Sequence, residues 1–547
     1  MIKFSIIRFR KYLSWINISS KGIKPHLIIG TIFGILKVFV GLLFILVSKH
    51  MVDIATGDVA GSILRETIIL AILFIFELLL NIINSFLYTQ AENLMRNNLR
   101  QRLFDHLLIS PIYKRGSYHS GDLTARLEED VRIVTSNITT SFPTVLIITT
   151  QLIGALWILI QFDRRLAWIL VMILPIFMVI GKLLSKRLRK MTEVIRDYES
   201  KVQSQIQEGL QQASILRALE AEKYASKKLE TLQKNVYQHI MKRLKFTLTS
   251  KSTLSIGFTC GYMVAFVWGC FSLHEGSITF GIMTAFLQLV GQIQRPTVGL
   301  AQIIPGFIHA STSIDRLLEI ENIKTEEIFP QKKLLFASGI KFQNVSYSYP
   351  GESQNIYQSF CHDFTPGSHT AILGHTGRGK TTLFRLILSL LKPTEGSIKI
   401  YDKYESLEIS TGTRCNISYV PQGNTLFSGT IRENLLLSYP HATEKEIADA
   451  LHTAVADFVY DLPDGLNTMC GEQGTGLSEG QAQRIAIARG LLKPANILLL
   501  DEISASLDQE TEKILFNRLM NFSPNKTIIL ITHRTEAAEY CDNILRV

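Results

Sequence analysis

No two of the six cysteines in this 547-residue sequence stand in a CxxC spacing; Cys260, Cys270, Cys361, Cys415, Cys470 and Cys541 are scattered. That pattern excludes a zinc ribbon and a disulfide framework and leaves ordinary reduced thiols. A removable leader is not expected either. The first apolar run is too long for a signal-peptide core, and no small-residue cleavage site follows it. Acidic residues are outnumbered, 47 against 57 Lys and Arg, which gives a net charge of +10. Such an excess would suit nucleic acid. Here, however, the basic residues flank apolar runs, where they meet an anionic leaflet, so no nucleic-acid partner is expected.

What the sequence does have is divided in two. Hydrophobic residues reach 47% while charged residues still make up 19%. Long apolar runs dominate up to about residue 320, and a soluble α/β pattern follows from about residue 335. The expected domains are therefore a membrane part at 1–322, a linker at 323–334 and a soluble domain at 335–547.

A bilayer core of about 30 Å takes about 20 helical residues. Six windows meet or approach that length: 25–48, 67–88, 142–161, 166–181, 252–273 and 276–294. The fourth is short, with Arg165 and Lys182 placed to snorkel from its ends. The basic, partly amphipathic residues 1–24 suit a helix lying along the inner surface. Stretches 1–24, 89–133 and 185–247 carry 6, 7 and 14 Lys and Arg, whereas 51–64, 162–165 and 274–275 carry two, Arg164 and Arg165. The positive-inside rule then places both ends of the membrane part in the cytoplasm. The long inward stretches 89–141 and 182–251 show helical periodicity, as at Leu99, Leu103, Leu107 and Leu108, and extend beyond the bilayer. The outward loops are too short for a receptor domain.

Polar residues within the spans are candidates for a substrate cavity. Lys37 and Glu77 each lie near the middle of a span; they either face a wet cavity or form an ion pair with each other. Thr284, Gln288, Gln292 and Arg295 recur along one face of the sixth span, a stripe that either lines a cavity or joins helices.

The sharpest motif is Gly374-His-Thr-Gly377-Arg-Gly379-Lys380-Thr381-Thr382, between a strand-like Thr370-Ala-Ile-Leu373 and a helical Leu383-Phe-Arg-Leu-Ile-Leu388. Strand, glycine loop and helix make the context of a P-loop. Backbone N–H groups released by the glycines wrap phosphates, and the helix N-terminus adds positive potential. Lys380 is placed for the β- and γ-phosphates, and the Thr381 hydroxyl for Mg²⁺. Downstream, Ile497-Leu-Leu-Leu500 leads into Asp501-Glu502, acids at the C-terminal edge of a buried strand, where open α/β sheets bind ligands. Asp501 is expected in the Mg²⁺ shell, and Glu502 as the group that orients or deprotonates the attacking water.

With these two motifs in place, residues 335–547 closely resemble the ATP-binding-cassette (ABC) ATPase family. Leu477-Ser478-Glu479-Gly480-Gln481 resembles its signature, followed by Gln483-Arg-Ile-Ala-Ile-Ala-Arg489. Gln422 in Val420-Pro-Gln-Gly423 matches the Q-loop, and Tyr349 in Ser346-Tyr-Ser-Tyr-Pro350 the aromatic that stacks on adenine. Asp508, closing Ala505-Ser-Leu-Asp508, matches the D-loop; His533 in Ile531-Thr-His-Arg534 matches the switch histidine. Gly471-Glu-Gln-Gly474 resembles the segment that precedes the signature in exporters.

The resemblance implies a six-span α-helical transmembrane domain fused to an α/β P-loop NTPase, the exporter (type IV) arrangement. Gly121-Asp-Leu-Thr-Ala-Arg-Leu-Glu-Glu-Asp130 and Ser313-Ile-Asp-Arg316 fit that arrangement. It implies ATP and Mg²⁺ as ligands, with Glu502, His533, Lys380 and Gln422 catalytic and Gln422 also near the metal. It implies that two cassettes stack head to tail, so that Ser478, Gly480 and Gln481 of one chain close over ATP held by the other, through a second copy or a related half-transporter. Short coupling segments are expected near 111–120 and 211–221. The expected cargo is a drug, peptide or other amphiphile carried through the bacterial cytoplasmic membrane, with a lipid or glycolipid flippase as the alternative. A cassette protein without transport is not expected, because such proteins lack six spans. About 24 residues precede the first span, so the peptide-exporter subtype with a leading protease domain is not expected. Three features depart from the family pattern: Glu479 in place of a signature glycine, His375 and Arg378 in the P-loop, and a sequence that stops at Val547 inside an expected strand, where relatives continue into a hairpin.

Overall fold

The computed structural model describes residues 2–111, 120–162, 164–350, 355–375, 377–471, 476–522 and 525–547. The side chains of 2–10, of most of 165–189 and of several other positions, Arg295 among them, lie outside the described set. The chain divides into two compact units, one of Met1–Asp105 with Gly121–Glu321, the other of His106–Ser120 with Asn322–Val547.

The first unit is helical throughout: α1 (Ile2–Ser19), α2 (Lys24–Thr56), α3 (Ile63–Leu108), α4 (Gly121–Phe162), α5 (Arg164–Gln211), α6 (Ala213–Ala218), α7 (Glu222–His274) and α8 (Phe280–Glu321). Each expected apolar window falls on one of these helices. Among the described residues, four helices are long and apolar enough to cross a membrane: α2, α3, α4 and α7. In α8 the apolar run is the shorter Phe280–Gln294, cut by its own glutamines and followed by Pro296. Most side chains of the apolar part of α5, 165–189, lie outside the described set, so a count of six spans stays an expectation.

Helices α2, α4, α7 and α8 share an apolar core, with Val38, Leu42, Ala155, Ala265, Phe286 and Leu289 buried in it. Close approach is bought by glycine: a Cβ on Gly34 of α2 would stand 2.2 Å from the Ile147 side chain of α4. On the opposite faces Ile32, Phe39, Phe74, Ile75, Phe86 and Trp157 stay exposed, as lipid-facing side chains do. Helix α4 contains two π-helical turns, Arg126–Asp130 and Asn137–Ser141. The first carries buried Asp130, which accepts a 2.6 Å hydrogen bond from Ser313 Oγ and lies 3.8 Å from Arg316, joining two of the motifs quoted above. Of the expected coupling segments, 211–221 contains the short α6, flanked by turns. Most of 111–120 lies outside the described residues.

In the second unit, β1 (Gly339–Tyr347), β2 (Tyr357–Phe364), β4 (Glu395–Tyr401) and β5 (Ser406–Glu408) form an antiparallel sheet in the order β2-β1-β4-β5. Five strands, β3 (His369–Leu373), β6 (Ile417–Val420), β9 (Ile497–Asp501), β10 (Thr527–Ile531) and β11 (Asn543–Arg546), form a parallel sheet in the order β11-β3-β10-β9-β6, and β7 (Gly429–Thr430) pairs with β8 (Met469–Cys470). Strands β9 and β10 are buried at every residue, which is why their sequences are continuous apolar runs rather than alternating ones. Helix α9 (Lys380–Ile387) follows β3, α10 (Glu479–Leu492) precedes β9 and α11 (Gln509–Phe522) follows it. The stretch expected as a linker is fastened to this unit: Leu334 N–H donates to Asn416 Oδ1 and Lys332 N–H to Gly412 O.

Candidate functional site: a nucleotide pocket at one sheet edge

Strand register gathers the site. Ile531 pairs with Ile372 on one side and with Asp501 on the other, while Val420 is level with Leu500. The residues just past these strands therefore emerge at one edge: the loop from Gly374, the pair Asp501-Glu502, His533, and Gln422. In an open parallel sheet that edge is the ligand side.

Gly377 and Gly379 adopt φ +86° and +89°, a region costly for any residue with a Cβ. A Cβ on Gly379 would also meet Ile356 Cγ2 at 2.3 Å, and one on Gly374 would meet the Val547 carbonyl oxygen at 2.4 Å. The C-terminal strand β11 thus packs beside the start of the loop, with Val547 N–H donating to Leu373 O at 2.9 Å. His375 and Arg378 are exposed, so their unusual side chains cost the loop no packing. Thr376 lies outside the described residues.

Lys380 is 6% exposed, and its Nζ donates to Gly374 O at 2.5 Å and lies 3.2 Å from His533 Nε2. Burial lowers the Lys380 pKa, and the charges of Glu502 and Asp501 oppose that shift. Glu502 has φ +49°. Its Oε2 accepts from Gln422 Nε2 at 2.6 Å and its Oε1 lies 2.7 Å from His533 Nε2. The four expected catalytic groups therefore form one chain of contacts, Lys380–His533–Glu502–Gln422. A carboxylate clamped at both oxygens, on a backbone outside the usual regions, is held in one orientation.

Asp501 is 1% exposed. Its Oδ2 accepts a long hydrogen bond of 3.4 Å from Tyr419, and the Thr381 hydroxyl faces the same carboxylate. Its Oδ1 is buried without a hydrogen-bond partner. Burial raises the Asp501 pKa, with the Glu502 charge adding to it and the Thr381 and Tyr419 hydroxyls opposing. An orphaned carboxylate oxygen beside a hydroxyl and within one residue of the Glu502–Gln422 pair is a hard-oxygen donor set, and it fits Mg²⁺. No group of three or more His, Cys, Asp or Glu that could hold a metal ion is found among the described residues.

Tyr349 is half-buried; its hydroxyl lies 3.2 Å from Thr382 Oγ1 and accepts from Arg385 Nη1 at 3.0 Å, so the ring is anchored on the first turns of α9. Ser478, Gly480 and Gln481 form a separate group. Ser478 caps α10 in a reciprocal box, accepting from Gln481 N–H at 3.2 Å while Gln481 Oε1 accepts from Ser478 N–H at 2.9 Å. A Cβ on Gly480 would stand 2.9 Å from Ser506 O. Glu479 is exposed in the first helical turn, where a carboxylate suits the helix dipole. Asp508 caps α11 through Thr511, whose N–H and hydroxyl lower its pKa. Among the described residues no hydrogen bond or ion pair joins Ser478, Gly480, Gln481 or Asp508 to the P-loop. The 472–474 part of the exporter-type segment lies outside the described residues.

Two residues of this site were given no role by sequence reading. Gln483 accepts from Ser506 at 2.6 Å and donates to the Glu502 carbonyl at 3.4 Å, connecting the signature helix to the catalytic strand end. Tyr419 reaches Asp501 from the neighbouring strand; its period-2 position in β6 was the available signal.

In the membrane unit, Lys37 and Glu77 form no ion pair. Lys37 Nζ donates instead to Asn81 Oδ1 at 2.8 Å, one helical turn beyond Glu77 on the same face. Within the stripe, Gln292 accepts a short hydrogen bond from Gln151 of α4, and Thr284 bonds its own backbone at Gly281 O. At Gln292 the stripe therefore joins two helices. Gln288 is half-buried, and the Arg295 side chain lies outside the described set.

A glycine loop on a helix N-terminus, a buried aspartate beside its threonine, and a glutamate held by a glutamine and a histidine define a P-loop ATPase cassette, here following a helical membrane region. Comparison with known proteins agrees over both parts. Residues 27–297 match the family described as "ABC transporter transmembrane region" and residues 358–505 the family described as "ABC transporter". The chain is 29% identical over 465 residues to the "Probable multidrug resistance ABC transporter ATP-binding/permease protein YheI" of Bacillus subtilis, covering 83% of this chain and 78% of that protein. It is 29% identical over 491 residues to the "Leukotoxin export ATP-binding protein LtxB" of Aggregatibacter actinomycetemcomitans, covering 88% and 68%. The chain belongs to the ABC transporter family, as a fused half-transporter of the exporter type: a multi-pass membrane protein that couples ATP hydrolysis to transport.

Proposed function

We propose that two copies of this chain, or this chain and a related half-transporter, form an exporter that drives small amphiphilic molecules, drugs or peptides out across the cytoplasmic membrane by alternating access. The cassette stands in the cytoplasm. The observation that carries this reading is the chain of contacts through Lys380, His533, Glu502 and Gln422 at one sheet edge, while Ser478 caps a different helix, Gly480 lies in that helix's first turn, and neither has a described bond to that edge. A signature group that does not meet its own P-loop supports a site completed by a second cassette.

The residues then divide the work. Gly374, Gly377 and Gly379 open the backbone to the phosphates of the substrate ATP, Lys380 neutralises them, Thr382 and Arg385 hold Tyr349 for the adenine, and Asp508 of the partner copy closes the far side with its signature. Thr381, Asp501 and Gln422 would hold Mg²⁺, which would supply positive charge against the phosphate oxygens. Glu502 receives the proton of the attacking water, and His533 and Gln422 fix the orientation in which it does so. Loss of the γ-phosphate removes the differential contact that keeps the two cassettes closed, which turns the cavity inward again.

The test is ATP hydrolysis by the full-length chain in lipid nanodiscs, titrated with cationic dyes, short hydrophobic peptides and fluorescent lipids. Stimulation by dyes or peptides is the expected result. Stimulation by lipids alone would replace the proposed cargo with a flippase substrate.

A further inference from the structure

Outside the nucleotide pocket, one arginine side chain is bonded to three residues on two separate elements. Arg414 lies in the short helical turn Thr411–Asn416. Its Nε donates to Leu388 O at 2.7 Å and its Nη2 to Ser389 O at 2.8 Å. These carbonyls close the C-terminal end of α9, the helix whose N-terminus forms the phosphate loop. A cation there satisfies carbonyls that the helix end leaves unpaired and complements the negative end of its dipole. The remaining nitrogen, Nη1, reaches Glu326 Oε2 at 2.9 Å. A planar guanidinium offers donors in such directions from one rigid fork, whereas a lysine ammonium brings its donors to a single point.

Glu326 belongs to the strap that follows α8. Its own N–H donates to Ile109 O at 2.9 Å, and the His106 ring lies 2.9 Å from Ile323 O, so the strap is bonded to the inner end of α3 and the turn after it. The strap is pinned again further along, by Phe329 N–H on Thr411 Oγ1 and Leu334 N–H on Asn416 Oδ1. One six-residue turn thus grips both the rear of the P-loop helix and the segment that holds the end of a membrane helix.

We propose that Arg414 and Glu326 are positioning residues of the transport cycle: they pass displacement of α9 on nucleotide binding to the inner end of α3, alongside whatever the short loops transmit. Neither residue touches the nucleotide-binding set. Breaking their ion pair separates hydrolysis from the membrane response instead of abolishing hydrolysis. The inference rests on the ATP-driven cycle proposed above.

The experiment uses the full-length chain in nanodiscs, with native cysteines replaced by alanine and one cysteine introduced at Ile278, a half-buried position in the turn just before α8. Its labelling by a water-soluble maleimide is followed with and without ATP. The parent is expected to label faster with ATP. In Glu326→Ala and Arg414→Ala that ATP-dependent increase falls by about fivefold or more, the range of ordinary coupling energies, while hydrolysis stays within about twofold. Glu326→Gln, which keeps an acceptor on Arg414, retains most of the response. A response unchanged in both alanine variants overturns the proposal. So does a response that falls only in proportion to hydrolysis and Tm, the mark of a structural role. A parent that shows no ATP-dependent labelling overturns the alternating-access cycle, and the relay with it.

Discussion

Glu502 and Asp501 are adjacent in sequence yet held in opposite ways. Both oxygens of Glu502 are engaged by Gln422 and His533, whereas one oxygen of Asp501 is buried with no partner. Glu502→Gln should leave ATP binding intact, measured with a fluorescent nucleotide, and lower turnover by about 10²- to 10⁴-fold, the usual share of a general base. Asp501 makes a pH-dependent prediction. Because its folded pKa is raised, the folded chain holds this proton more tightly than the unfolded one. Stability from this group is therefore complete below the ordinary aspartate value of about 3.9 and falls as pH rises through the folded value. Without nucleotide at neutral pH, Asp501→Asn should unfold at a higher temperature than the parent, with the difference shrinking in acid. Mg²⁺ and ADP should stabilise the parent and not the variant. An Asn variant no more stable than the parent at neutral pH would contradict the strained-carboxylate reading. Lys37 adds a third test at this scale: its coupling energy in a double-mutant cycle should be larger with Asn81→Leu than with Glu77→Gln.

At the scale of elements, Ser478 has a role that its motif alone does not convey. It caps α10, so Ser478→Ala should cost about 1 kcal/mol of stability in addition to lowering hydrolysis. Ser478→Asp, which restores the cap, should recover the stability and not the activity; thermal unfolding and ATPase assays separate the two. Gly379→Ala should abolish nucleotide binding outright, because the loop has no room for the methyl group beside Ile356 and its φ is unfavourable for alanine. Much of the cassette was legible because its chemistry is local. A glycine loop between a strand and a helix, or an acidic pair ending the buried run Ile497–Leu500, is a contiguous signal, and parallel register brings such signals to one edge. The contacts that escaped reading are non-local: Tyr419 on Asp501, Gln483 beneath Glu502 and Lys37 on Asn81 each depend on which helix or strand lies beside which. The π-helical turns of α4 likewise leave no periodicity to find in five residues.

For the whole molecule, the two units divide function as their compositions do. Exposed apolar faces on α2 and α3 belong in lipid or against a second chain, and the cassette presents an ATP site to which, among the described residues, the signature residues Ser478 and Gly480 make no bond. The central claim is that hydrolysis at this site moves cargo outward. It is tested most directly by ATP-dependent accumulation of labelled dyes and peptides inside inverted membrane vesicles containing the chain, with Glu502→Gln vesicles in parallel. The account predicts that at least one amphiphile accumulates inside the vesicles with ATP and none does so in the variant. Accumulation that is equal in the parent and in Glu502→Gln, or that proceeds without ATP, would contradict it.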